Sequence, residues 1–94
     1  MVEIRRLIWD PWNVGHIGRH GVSPREVEEV CRTDPLGKVG KYGRIALVGP
    51  TSAGRILVVI LDAEEDGAFY VVTAHPANRR DRAVYLREKG GEGT

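Results

Sequence analysis

The chain predicts a small α+β domain, and three features of its pattern carry that expectation. Two helix starts are written in capping residues ahead of residue 25. Three β-rich runs separated by turn residues fill the middle, and one more helix start lies near Asn78. The predicted order is strand, helix, helix, three antiparallel strands, helix.

Residues 3–9, Glu-Ile-Arg-Arg-Leu-Ile-Trp, read as a first strand with imperfect alternation. Asp10 then caps a helix whose first position is Pro11, where the missing N–H is no loss. This helix runs to about His20 and Gly21 ends it. Gly15 and Gly18 each cost it about 1 kcal/mol relative to alanine, so contacts outside the helix must hold it. Val14 and Ile17 are expected on its buried side, while His16, Arg19 and His20, at i, i+3 and i+4, share another face.

The second helix has the clearest start in the chain. Ser23 caps it, Pro24 takes the first position, Glu26 closes a capping box, and Val22 can staple onto Val27. Val27, Val30 and Cys31 form its apolar stripe, and Asp34-Pro35 stops it. Glycine and lysine dominate from Gly37 to Gly43, which suggests a flexible connection or a weak edge strand. Strands are then expected at Arg44–Val48, Arg55–Leu61 and Ala68–Ala74, rich in branched and aromatic residues. Their links, Gly49–Gly54 and Asp62–Gly67, are short and turn-rich, so neighbouring strands should run antiparallel. A last helix spans Asn78 to about Lys89, and residues 90–94 read as a frayed tail. The two N-terminal helices should cover one sheet face and leave part of the other open for binding.

A length of 94 residues supports one core, so residues 1–89 are expected to form a single domain. The composition, 41% hydrophobic and 29% charged, is that of an ordinary globular protein, and the longest apolar run, Ile56–Leu61, is far too short to span a membrane. No charged-then-apolar leader opens the chain, which makes the cytoplasm the expected compartment and a membrane partner unexpected. A single cysteine, Cys31, excludes an intrachain disulfide and a multi-thiolate metal site.

The net charge of +1 says little, but its distribution says more. Residues 75–89 hold five Arg or Lys against two acids, whereas Asp62, Glu64, Glu65 and Asp66 form an acidic turn. Asn78 and Asp81 mark the last helix's beginning, and Arg79, Arg80 and Arg82 crowd into its first turns. That is the wrong end for cations, because a helix N-terminus carries partial positive charge. A broken local rule without structural gain points to function, and clustered guanidinium groups beside His75 point to phosphate.

Several chemistries fit poorly. His16 and His20 have i, i+4 spacing, but Ile17 stands where a zinc-protease helix has glutamate, and no third ligand is evident; no metal or cofactor is expected. Ser23 is occupied as a cap and Ser52 sits in a turn. Gly49-Pro-Thr-Ser-Ala-Gly54-Arg55 lacks the lysine and hydroxyl of a phosphate-binding loop. What remains is imidazole, guanidinium and phenol, a set suited to metal-free RNA cleavage. The RNA 2′-hydroxyl attacks the adjacent phosphate, and the protein supplies a base, charge stabilisation and a leaving-group acid.

A wider pattern carries a family likeness. Trp9-Asp10-Pro11-Trp12-Asn13, Arg19-His20-Gly21-Val22-Ser23, Asp34-Pro35, Gly49 to Arg55 with Leu57-Val58-Val59, and Thr73-Ala74-His75 to Arg82 and Tyr85 together resemble the BrnT-like toxin family across nearly the whole chain. The resemblance implies a RelE/ParE-like fold and a ribonuclease toxin of a type II toxin-antitoxin system. It also implies a cognate ribbon-helix-helix antitoxin as partner, and RNA, free or on the ribosome, as substrate. Arg19, His20, Gly21 and Val22 match the family's basic-His-Gly-Val turn, with arginine where lysine is common. Arg79, Arg80, Arg82 and Tyr85 match its C-terminal arginine motif, with Asp81 where glutamate is usual. His75 stands where the family often has arginine.

His20 is the preferred general acid or base, and His75 is placed for phosphate contact or proton transfer. Arg82 and Tyr85, at i and i+3, present guanidinium and phenol together. Arg19, Arg79 and Arg80 are assigned to phosphate or antitoxin contacts, with Arg44 and Arg55, each opening a strand, as further RNA contacts. Trp9 and Trp12 read as core or interface anchors, although an exposed one would stack on a base. The competing expectation is a catalytically silent relative that keeps the fold as a protein-binding or nucleic-acid-binding module.

Overall fold

The molecule is built on a five-stranded mixed sheet in the order β1-β5-β4-β3-β2, seen in a computed structural model that describes residues 3–90. The elements are β1 (Arg6–Ile8), α1 (Pro11–Gly18), α2 (Pro24–Arg32), β2 (Leu36–Val39), β3 (Ile45–Pro50), β4 (Ile56–Ala63), β5 (Ala68–Pro76) and α3 (Arg79–Tyr85). The α+β class follows directly. Residues 91–94 of the expected tail lie outside the described residues.

β4 sits at the centre because its branched run is apolar on both faces. Leu57, Val59 and Leu61 point into the main core with Ile17, Val27, Val30 and Phe69, all buried. β3 alternates cleanly: Ile45, Leu47 and Gly49 turn inward, while Ala46, Val48 and Pro50 are half-buried on the opposite side. Gly49 is required there, since an added Cβ would lie 3.0 Å from Pro35 Cβ and 3.3 Å from Val30 Cγ1. α2 packs on β3 and β4, and α1 packs on β5. α3 meets β3 from the other face of the sheet.

Of the two readings of Gly37–Gly43, the edge strand is present over its first part: the four residues of β2 pair antiparallel with β3. Several other expectations change. β1 is shorter than residues 3–9 and pairs parallel to β5, with Leu7 opposite Phe69. Val14 is 38% exposed; the residue buried beside Ile17 is Asn13, at 1%. The last helix is α-helical only through Tyr85 and finishes in a π turn, Leu86–Gly90. Between β4 and β5 a register shift at Ile60/Leu61 adds Val72 as an extra residue on β5.

Candidate functional site

α1 is short and poor in helix-forming residues, yet it is fixed at both ends. Asp10 accepts from the Asn13 backbone N–H at 2.8 Å, and the Asn13 side chain accepts from Asp10 N–H at 2.9 Å, a reciprocal capping box. The same side chain donates Nδ2–H to Ile8 O at 2.9 Å and to Val71 O at 3.1 Å. It thereby closes the edge of β5 beyond the point where β1 ends. The Tyr70 hydroxyl donates to the Asp10 carboxylate at 3.1 Å, and burial, then this carboxylate, pushes the phenol's pKa up. Trp9 packs against the core and donates Nε1–H to Glu28 at 3.0 Å, tying β1's end to α2.

The far end of α1 closes in a Schellman turn. Gly21 takes φ +72°, Val22 N–H donates to Ile17 O at 3.1 Å, and both apolar residues enter the core. Arg55 Nη1 then donates to Gly21 O at 2.8 Å and to Glu26 Oε2 at 3.1 Å. Arg55, expected at the RNA, is therefore a strap between β4, α2 and the turn that follows His20.

The consequence is a row of imidazoles. The ring centroids of His16 and His20 stand 5.4 Å apart, and those of His20 and His75 stand 6.0 Å apart, both edge-on. His20 is exposed, and its two neighbours are half-buried. His75 reaches this position from the end of β5, opposite Val58 of β4. Its Nδ1 faces Pro76 O at 3.0 Å. A carbonyl only accepts, so in the neutral ring Nδ1 carries the proton and Nε2 keeps its lone pair.

Arg19 lines a small depression with His16. Among the described residues, Arg19, Arg79, Arg80 and Arg82 are exposed and take part in no ion pair. Arg80 borders a groove of about 540 Å3 between α3 and the sheet, together with Lys38, Val48, Val58 and Val84. Directly opposed antiparallel residues share a face, so His75 and Val58 start from the sheet face on which this groove lies. Tyr85 is half-buried. Arg44 lies elsewhere: it pairs with Asp62 at 3.3 Å, next to the acidic turn at the far end of the β4 strand. From Leu57 to Ala63 that strand runs about 20 Å, so the acidic turn and His75, opposite Val58, lie toward opposite ends of β4.

No protein-family model matches this chain, and no curated protein matches it either. The site's reading rests on its own geometry. His16 belongs to the row although its sequence position reads only as an exposed helix face. Asn13 and Tyr70 position α1, and nothing local in the sequence marks their partners, Val71 O and the Asp10 carboxylate. Glu26, read as a cap, also holds Arg55. Trp12 is 78% exposed and stands one helical turn before His16. Among the described residues, no three His, Cys, Asp or Glu are grouped to hold a metal ion, and no helix is long and apolar enough to cross a membrane.

Proposed function

We propose that this protein is a BrnT-like ribonuclease toxin with a RelE/ParE-like fold, cutting RNA without a metal and neutralised by a cognate ribbon-helix-helix antitoxin. The observation that carries the reading is the 6.0 Å approach of His20 and His75, residues 55 positions apart, with Arg19, next to His20 in the chain, in no ion pair among the described residues. Two imidazoles at that distance can flank one phosphodiester.

In this mechanism His75 Nε2, the free lone pair, removes the proton from the 2′-hydroxyl. The 2′-oxygen forms a bond to phosphorus as the bond from phosphorus to the 5′-oxygen breaks. His20 delivers a proton to that leaving oxygen, giving a 2′,3′-cyclic phosphate and a 5′-hydroxyl end. Arg82, with Arg79 or Arg80, stabilises the charge on the non-bridging oxygens, and Tyr85 hydrogen-bonds to the same group. Arg19 holds the strand beside His20. Arg55 acts by fixing the turn behind His20, and Arg44 is too distant to contribute.

The test is incubation of antitoxin-free protein with labelled RNA in EDTA, free and then with translating ribosomes. Wild type should cut, and His20→Ala, His75→Ala and Arg82→Ala should each slow cutting at least about tenfold, equivalent to about 1.4 kcal/mol of transition-state stabilisation. Intact RNA in both settings rejects catalysis and leaves the silent binding module. That second reading draws on Arg44 and Arg55, two of the expected RNA contacts, each being held in an ion pair with an acid of the same chain.

A further inference from the structure

Trp12 and Gly15 are residues of α1 that make little contact with the rest of the fold, and Gly15, unlike the equally open Gly18, borders a depression. Trp12 leaves 78% of its surface in solvent, although neighbouring Asn13 is fully packed. Gly15 is helical, has no positive φ, and a Cβ added to it would meet nothing within 4 Å. Neither conformation nor packing asks for glycine, the worst helix former after proline. Its bare backbone instead floors a small depression of about 100 Å3 whose walls are Trp12, His16 and Arg19. Trp12 precedes His16 by four residues of α1, about 6 Å along the helix axis, so the indole lies beyond the His16 end of the imidazole row.

We propose that Trp12, over the open floor of Gly15, is a base-stacking subsite for a nucleotide flanking the phosphate held at His20 and His75. The inference rests on the ribonuclease reading and adds where the strand runs. An indole gives any base a flat partner, and a side chain at position 15 would fill the space in which the base lies. Charge agrees with a polyanionic strand: α1 contains no acidic residue, Arg19 borders the depression, and its guanidinium is in no ion pair among the described residues. The subsite explains why a helix-weakening residue stands in the middle of an eight-residue helix.

Binding of a fluorescent 2′-O-methyl oligoribonucleotide, which lacks the attacking hydroxyl, tests this by anisotropy without cleavage. An abasic strand of equal length is run beside it. Trp12→Ala should weaken binding of the base-containing strand by about 5- to 150-fold, the range for loss of one base–aromatic stack, and leave the abasic strand unchanged. Trp12→Phe should recover most of the affinity. Gly15→Ala and Gly15→Met should raise the melting temperature while weakening binding, a combination that a structural glycine does not give. If Trp12→Ala binds like wild type while Arg82→Ala fails, the subsite is wrong, the ribonuclease reading stands, and the indole belongs to a protein contact. If wild type binds neither strand, both readings fall, and a lower melting temperature for Gly15→Ala removes the argument from the depression.

Discussion

Asn13→Ala should be among the most damaging single changes in the molecule. The side chain is 1% exposed and serves three backbone groups: it accepts from Asp10 N–H and donates to Ile8 O and Val71 O. Alanine leaves all three without their partner. An unsatisfied buried group costs about 1–3 kcal/mol, and two of these three bonds are only partly buried, so the low half of that range applies to them. The sum is about 3–7 kcal/mol, against about 5–14 kcal/mol for a whole domain of this size. Urea unfolding followed by far-ultraviolet circular dichroism measures it, with Trp12→Ala as a control in the same helix that should change stability by less than about 0.5 kcal/mol. Asn13→Asp separates the parts, because it keeps the acceptor for Asp10 N–H but loses both donors and sets a second carboxylate beside the first. A loss below about 1 kcal/mol for Asn13→Ala would mean that the carbonyls find water. The claim that this one amide holds α1 to β5 would then be wrong.

Glu29 accepts from Ser52 N–H at 3.1 Å, and its hydrogen bonds to Ser52 hold its pKa below the ordinary 4.5. A lowered folded-state pKa stabilises the fold above the unfolded value, and that stability is lost as pH falls through the folded one. Glu29→Gln should therefore flatten the acid limb of a stability profile below pH 4.5, with little change in shape near neutrality. Burial, and secondarily Glu28, pushes the Cys31 thiol up to about 11. Iodoacetamide at pH 8 should modify native Cys31 far more slowly than urea-unfolded protein, and equal rates would show that the thiol is not shielded.

The parts of the fold legible in the sequence are those encoded within four residues. Asp10-Pro11 and Ser23-Pro24 with Glu26 cap their helices as the capping rules require, and the branched run of β4 is central as its composition demands. What escaped depends on distant partners. β2 reads no more firmly than as a connection or a weak edge strand because its stability comes from β3 rather than from Gly37 or Lys38. Asn13 looks like an ordinary helix residue until Val71, 58 positions away, supplies its partner. The same limit governs the site. His20 and His75 are individually readable as proton carriers, whereas their approach depends on the capping of α1, the Arg55 strap and the β5 register together. The ion pair of Arg55 is hidden for a related reason: nothing near it in sequence reveals Glu26.

The parallel pairing of β1 with β5 also constrains the order of assembly during synthesis. Leu7 must wait for Phe69, 62 residues later, so β1 leaves the ribosome well before the strand that completes it. Such long-range closure is slow compared with helix formation. Through most of translation, α1 and its histidines have emerged while their partner imidazole has not yet been made. A nascent or truncated chain that stops short of position 75 is therefore chemically harmless under the proposed mechanism. The cell that makes it is exposed only after the β5 strand has formed.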